Sequence, residues 1–380
     1  MKNIAVVYGG TSCEKDISVI TGMQAIKAIE KREYNVYPVF WSENGKFYLP
    51  DKYGDIEAYS KSEYIDGKEV MFCHKNLCLL KKNKLKAISQ IDCVLLCTHG
   101  GKGENGSIQG YFEIEDIPYT SPDVIASGIG MDKGISKIFC KKISLPVLPY
   151  VVLSKEDKEE NLIKSVSKLS FPLIVKPCRQ GSSIGINICD NMDMLKDAVE
   201  IAFEYDDKIM IEKALKDFRE INCACMRINN EILPSSLEEP IGWKEFLSFE
   251  DKYMSHGKNM KVSSRRNFPA KLDSVIEQKI KNMTTKLYKA LNLKGIVRCD
   301  YLLDKKSGEV YFNEINTIPG SLAGYLYEDK NLNLRKIIGI MIENAIAENK
   351  EKTQPRFSSG VLQYYAKKGS NACKMPIKKV

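Results

Sequence analysis

The sequence predicts an α/β protein built as two or three lobes around a cleft. Three observations lead to that class. The chain has 380 residues, too many for one ordinary compact core. Short β-branched apolar runs alternate with amphipathic segments of helical length. Glycine-dense stretches follow directly on apolar runs, which suits ligand-facing loops at the ends of buried strands.

The elements follow in order. Asn3 to Tyr8 reads as a strand, Gly9-Gly10 as a turn, and about Asp16 to Lys31 as a helix. Asn35 to Trp41 and Ile91 to Cys97 are further strands, the second running into the glycine loop Thr98 to Gly106. This alternation predicts a doubly wound, parallel first lobe over residues 1–122. A second lobe, 123–214, has a helix through Lys133 and Lys137, a strand Leu173 to Pro177, the loop Cys178 to Gly185 and a last strand Ile209 to Glu212. The third, 215–349, alternates apolar and polar residues through Ile221 to Pro234 and crosses an irregular stretch. It then continues with a helix from about Leu272 to Leu291 and strands Gly295 to Leu303 and Val310 to Glu314. Residues 350–380 read as a polar, basic tail, and there is no internal repeat.

Hydrophobic residues make up 43% and charged residues 28% of the chain, which excludes wholesale disorder. The net charge of +8 is spread along the sequence and favours small anionic substrates. A nucleic-acid face would need basic clusters interleaved with aromatics, and Lys258 to Arg266 is a single short stretch, so no nucleic-acid partner is expected. No secretory pattern opens the chain and no apolar run approaches the roughly 18 residues of a membrane helix, so a cytoplasmic protein is expected. Twelve cysteines include no Cys-x-x-Cys pair; Cys93, Cys97, Cys140 and Cys189 lie in apolar segments and are expected as buried free thiols. With only His74, His99 and His256 present, any metal should be held by oxygen.

Two constellations carry chemistry. Alternate residues on a strand share a face, so Arg298 with Asp300, and Glu314 with Asn316, project together. If their strands are neighbours, Asp300, Glu314 and Asn316 offer three oxygen ligands suited to magnesium, with Arg298 beside them. Taken alone, the same face is equally consistent with exposed salt bridges. Lys176 ends an apolar strand and runs into Arg179-Gln180-Gly181-Ser182-Ser183-Ile184-Gly185, where glycines let backbone amides approach phosphate and the lysine adds a fixed charge. This is not a Walker sequence, and a plain glycine turn with a solvent-reaching lysine is the bland alternative. Gly9-Gly10-Thr11-Ser12 lacks the dinucleotide-binding spacing.

These segments resemble, in order, the motifs of D-alanine-D-alanine ligases of the ATP-grasp superfamily. They are Gly9 to Glu14, His99 to Gly106, Met131-Asp132-Lys133, Lys176 to Gly185, Lys252-Tyr253, Arg298 to Asp300 and Glu314 to Gly320. The resemblance runs from about Lys2 to Glu348 and leaves only the tail outside. It implies a three-lobed ATP-grasp fold, ATP with two magnesium ions (manganese as the alternative), and D-alanine plus a second small amino acid as substrates, with a homodimer admitted. By matching positions, Lys133, Lys176, Ser183 and Lys252 attend the nucleotide phosphates, Glu212 and Lys213 the adenine, and Glu220 the ribose. Asp300, Glu314 and Asn316 hold metal; Glu14, Ser182 and Tyr253 form a hydrogen-bonded closing set; Arg298 and the Gly320 amide stabilise the oxyanion. The loop Gly181 to Gly185 and the stretch Glu239 to Pro269 would close the cleft.

Glu14, His99, Tyr325 and Leu326 would meet the substrates, and here the chain departs from the family. After Gly320 the family has a Met-Thr or Phe-Thr pair and then a serine whose hydroxyl and neighbouring amide receive the second substrate's carboxylate. This chain has Ser321-Leu322-Ala323-Gly324-Tyr325-Leu326, with Tyr325 where that serine is expected. The alternatives are a ligase with a different second substrate, or a nucleotide-binding regulatory module without turnover.

Overall fold

The computed structural model describes residues 1–61, 67–82, 84–157, 159–241, 266–351 and 360–363. Met1–Ile346 forms one unit and the chain from Ala347 another. The second is described only to 351 and over 360–363, where 361–363 are helical.

In the first lobe β1 (Lys2–Gly9) is followed by α1 (Lys15–Ala28), and β1 lies between and parallel to β2 (Tyr34–Trp41) and β7 (Cys93–Leu96). A central strand with no open edge is covered on both faces, which is why Ile4 to Tyr8 is an unbroken apolar run with no solvent exposure. The parallel pattern stops at these three strands. From β2 the sheet continues antiparallel through β3 (Phe47–Leu49), β4 (Lys68–Cys73), β5 (Asn76–Lys81) and β6 (Lys84–Gln90), in the order β6-β5-β4-β3-β2-β1-β7. The expected doubly wound parallel lobe is therefore a mixed sheet. Connection length decides this: β4 and β5 are joined by His74-Lys75 alone, both at positive φ (46° and 67°), and such a turn joins only antiparallel neighbours. Short helices α2 (Ile56–Ser60) and α3 (Ser107–Ile114) complete the lobe.

After α4 (Val124–Met131) and α5 (Lys133–Lys142) comes a four-stranded antiparallel sheet, β10-β9-β11-β8. Its strands are β8 (Tyr150–Ser154), β9 (Leu173–Pro177), β10 (Asn187–Cys189) and β11 (Lys208–Lys213), with helices α6 (Glu159–Val166) and α7 (Met192–Tyr205) between them. Leu195, Ala198, Val199 and Ala202 of α7 bury one face of the sheet.

The third sheet is antiparallel in the order β14-β13-β12-β15-β16, from β12 (Phe218–Ile228), β13 (Glu231–Pro240), β14 (Arg266–Asn267), β15 (Ile296–Asp304) and β16 (Val310–Asn316). Period-two alternation divides its side chains. Ile221, Cys223, Cys225, Val297, Cys299 and Tyr301 pack under α8 (Ser274–Ala290) against Ile280, Met283 and Leu287, while Glu220, Asn222, Arg298 and Asp300 occupy the other face. A 3-10 segment, Gly320–Lys330, and α9 (Leu334–Glu351) then return to the first lobe: Leu322, Ala323, Leu326, Tyr327, Ile337 and Ile338 share the core of β1. Cys93, Cys97, Cys140 and Cys189 are buried and free, as expected.

Candidate active site

Two positively charged side chains of the second lobe meet the polar face of the third. Lys133 opens α5, whose N-terminus is capped by Asp132; its ammonium donates to the Gln180 carbonyl at 2.6 Å and lies 3.5 Å from Glu314 Oε2. Lys176, from the wholly buried strand β9, donates to Glu212 Oε2 at 3.0 Å and to Asn313 Oδ1 at 3.2 Å. Asn313 faces the site because the register between β15 and β16 shifts by one residue: Asp300 opposes Glu314, but Tyr301 opposes Phe312. That bulge turns two consecutive residues toward the same cleft, Asn313 to one lysine and Glu314 to the other.

Arg298 grips Asp300 with two bonds, Nε to Oδ1 at 2.7 Å and Nη2 to Oδ2 at 2.8 Å, and Asn316 Nδ2 donates to Asp300 Oδ2 at 3.0 Å. Asp300, Glu314 and Asn316 thus converge as their alternation requires. Among the described residues no three His, Cys, Asp or Glu cluster as a complete metal cage. Two carboxylates and one amide are an open set, and magnesium suits it because that ion keeps waters and takes phosphate oxygens to finish its shell.

Glu212 was expected beside adenine, yet its carboxylate is spent elsewhere. It is fully buried and bonded to both Lys137 and Lys176. Burial works to raise its pKa, but Lys137 and then Lys176 hold it below the usual carboxylate range, so it is ionised; burial depresses Lys137. Two lysines on one carboxylate leave a cationic surplus against the cleft, suited to phosphate. Lys137 is missing from the candidate set, although its place four residues after Lys133, on the same helical face, is a signal. Lys213 and Glu220 are half-buried at the lobe junction, and Glu220 is opposite Leu302 on β15.

The first lobe closes the other side. Ser182 donates to Glu14, and the loop can approach because Gly181 has no side chain: a Cβ there would lie 2.5 Å from Glu14 Oε2. Gly100, at φ +65°, leaves room for the same carboxylate: a Cβ there would lie 2.4 Å from Glu14 Oε2. Burial lifts the Glu14 carboxyl above its ordinary range, with Ser182 opposing. Ser182 and Ser183 both stand at positive φ, 52° and 60°. Lys252 and Tyr253, expected in this region, lie outside the described residues.

His99 and Leu326 are both buried. The His99 ring is buried, with Nε2 2.9 Å from Thr21 Oγ1 and a further bond to the Ile318 backbone. Thr21 Oγ1 accepts from the Ser321 amide at 3.1 Å, and Glu104 accepts from the Ile318 amide at 3.0 Å and the Thr317 hydroxyl at 3.1 Å. His99, Thr21 and Glu104 therefore fasten the first lobe to the turn after Asn316, with the imidazole bonded to Thr21 and to the Ile318 backbone. Leu326 is completely buried in the first core, which leaves only its backbone amide for a substrate. Between them Ser321, Leu322 and Ala323 all take positive φ (51°, 50° and 44°), a conformation costing roughly 1–3 kcal/mol per residue, held by the Thr21 bond and by burial of Leu322 and Ala323. Beside Gly320 the space is open.

Burial holds the His99 pKa below its ordinary value of 6.5, so the folded ring is neutral. Below about 6.5 the unfolded chain gains a proton here that the folded chain does not. This contribution to stability is full above that pH and is lost as pH falls, by at most about 1.4 kcal/mol per unit. Unfolding of wild type and His99→Gln from pH 7.5 to 5.5 should show a stability gap that narrows on acidification; a constant gap would mean the ring titrates normally.

Tyr325 stands on the far side of Arg298 from the lysines. Its hydroxyl donates to Glu238 Oε2 at 3.0 Å, Arg266 Nη1 is 3.3 Å from Glu238 Oε1, and the Arg266 guanidinium lies 4.1 Å from the Tyr325 ring centre. Neither Glu238 nor Arg266 was singled out from the sequence.

Two lysines set against two carboxylates and an amide, with Arg298 beside them, are charges that an ADP-forming ligase of the ATP-grasp kind requires, and the chain's relatives place it in that class. Residues 3–122 match the family described as D-ala D-ala ligase N-terminus and residues 139–343 the D-ala D-ala ligase C-terminus. A D-alanine–D-alanine ligase of Thermosipho africanus is 34% identical over 362 residues, covering 94% of this chain and 97% of that protein. One from Campylobacter jejuni is 34% identical over 352 residues, 91% of this chain and 95% of its own. Among solved structures, the VanG D-Ala:D-Ser ligase of Enterococcus faecalis superposes with a TM-score of 0.78 at 26% identity, covering 90% of this chain and 99% of that one. The D-alanine–D-alanine ligase of Helicobacter pylori gives 0.72 at 28% identity, covering 90% and 98%. The chain belongs to the D-alanine–D-alanine ligase family.

Proposed function

We propose that this chain uses ATP and magnesium to join D-alanine to a second small D-amino acid, supplying a dipeptide for peptidoglycan precursors. The observation that carries it is the meeting of Lys133 and Lys176 with Asn313 and Glu314, beside the Arg298–Asp300 pair. Lys133, Lys176 and the Gly181 to Gly185 loop with Ser183 attend the phosphates. Lys213, Glu220 and the backbone about Glu212 take the nucleoside, and Lys252 completes the set. Asp300, Glu314 and Asn316 hold two magnesium ions, or manganese, which when bound offset charge on the transferring phosphoryl group. The first carboxylate attacks the γ-phosphorus of ATP, the bond to the bridging oxygen breaks and ADP leaves, and an acyl phosphate results; its phosphate is expelled in turn when the amine adds. The second substrate's amine, once deprotonated, attacks its carbonyl while Arg298 and the Gly320 amide stabilise the oxyanion; one such donor is worth about 3 kcal/mol. Glu14, Ser182 and Tyr253 keep water from the intermediate. The need for ATP sets the reaction in the cytoplasm, and a homodimer is the assembly we adopt. No helix among the described residues is long and apolar enough to cross a membrane.

Phosphate release from ATP with D-alanine alone, and with D-alanine plus other D-amino or D-hydroxy acids, tests the reading; no stimulation by any of them leaves the regulatory module. Tyr325 governs the second substrate, because its hydroxyl is already directed to Glu238 and its ring fills the place where a serine is expected. Tyr325→Ser should alter the preference between second substrates by about one to two decades. Efficient D-alanyl-D-alanine synthesis by wild type, unchanged by the substitution, would make this departure neutral.

A further inference from the structure

The second substrate arrives with a carboxylate that needs a cation, and the residues beyond Arg298 show which. Arg298 spends Nε and Nη2 on Asp300 and its remaining donors are assigned to the oxyanion, while Tyr325 donates its hydroxyl to Glu238, so the carboxylate needs another cation. Arg266 is different. Among the described residues its one ion pair is the 3.3 Å contact of Nη1 with Glu238, and its plane is laid over the Tyr325 ring. Five donors in a fixed fork leave most of the guanidinium unspent, and stacking on an aromatic ring pre-sets its orientation. Its side chain is about a quarter exposed (26%), enough for a small ligand to reach. The same corner carries a second sign of a missing ligand. Asn222 stands between Glu238 and Asp300 on the neighbouring strands and is buried, and its Oδ1 has no hydrogen-bond partner. A buried acceptor of that kind is costly until a donor such as an amine reaches it.

We infer that Arg266, braced by Tyr325 and Glu238, receives the carboxylate of the second substrate, taking over the task of the absent serine. This rests on the ligase reading and deepens it: the acceptor must be an α-amino acid with a free carboxylate, not an amide. Glu238 keeps the guanidinium from swinging away, and Tyr325 supplies the platform; both are positioning residues. The arginine and the tyrosine form one unit, so restoring a serine at 325 without the ring also frees Arg266.

The test is competition. The full chain is given ATP, magnesium, D-alanine and D-alaninamide, which can accept an acyl group but carries no carboxylate, and the two dipeptide products are quantified by mass spectrometry. Their ratio reports relative kcat/KM for the second position alone. Wild type should favour the carboxylate acceptor; Arg266→Gln should reduce that preference by roughly ten- to a hundredfold, with the KM for ATP unmoved. Arg266→Lys, keeping the charge but not the fork, should recover part of it. Tyr325→Leu, which removes the stack, should lose part with Arg266 intact. An undiminished preference in Arg266→Gln, whose thermal unfolding matches wild type, overturns the assignment; if that variant does not fold, an undiminished preference in both Arg266→Lys and Tyr325→Leu does so. Absence of both dipeptides from wild type overturns the ligase reading itself, and the role of Arg266 falls with it.

Discussion

Asp300→Asn and Glu314→Gln are each expected to reduce ligation about a thousandfold while the protein still folds. Each swaps an anionic metal ligand for a neutral amide of the same size, and several kcal/mol of charge stabilisation corresponds to about that factor. The choice of amide matters. Arg298 is largely buried, with 20% of its side chain exposed, and donates two bonds to the buried Asp300. Asp300→Ala would strand that guanidinium and cost about 3–5 kcal/mol of stability, confounding chemistry with unfolding. Glu314 is more exposed, so Glu314→Gln is the cleaner of the two. Turnover is followed against magnesium concentration, with denaturant unfolding as the control. Either variant turning over like wild type at equal magnesium would remove its carboxylate from the metal set.

The second large effect separates the two partners of a buried ion triad. Lys176→Ala should slow phosphoryl transfer by about a hundredfold or more yet disturb stability little, because Glu212 keeps Lys137. Glu212→Ala does the opposite. It leaves two cations unpaired, Lys137 with no solvent exposure at all and Lys176 nearly so, and should cost about 3–5 kcal/mol of unfolding free energy. Lys176 has a smaller structural task as well: its ammonium also bonds Asn313 and thereby joins two lobes. Equal unfolding free energies for Glu212→Ala and wild type would show that the lysines are not held by this carboxylate, and wild-type ATP affinity and rate in Lys176→Ala would reduce that residue to a structural lysine.

Much of the site is legible in the chain because local periodicity dictates it. Strand alternation places Arg298 with Asp300 and Glu314 with Asn316 wherever those strands lie, and a buried run that ends in lysine and glycine can hardly be other than a strand delivering charge to a loop. The meeting of Glu14 with Ser182 is implied by family resemblance, since 168 residues separate them and nothing local relates the two. Other features have no local cause. Asn313 reaches Lys176 only through a one-residue slip in a ladder, and a slip depends on the partner strand. Arg266 gains meaning only when Glu238 and Tyr325, 28 and 59 positions away, are brought beneath it.

By itself, then, the sequence determined the α/β class, the strands β1, β2, β7, β9, β11, β15 and β16 to within a few residues, and the family; the strands between Phe47 and Gln90 carry no comparable signal. Period and turn chemistry act over a few neighbours, and motifs in order act as a signature. Tertiary structure alone decided that Glu212 serves two lysines, that His99 pairs with Thr21, and that Tyr325 points its hydroxyl at Glu238. In each case the outcome depends on which distant group can satisfy a buried charge or donor, because an unpaired one costs more than local preference can return.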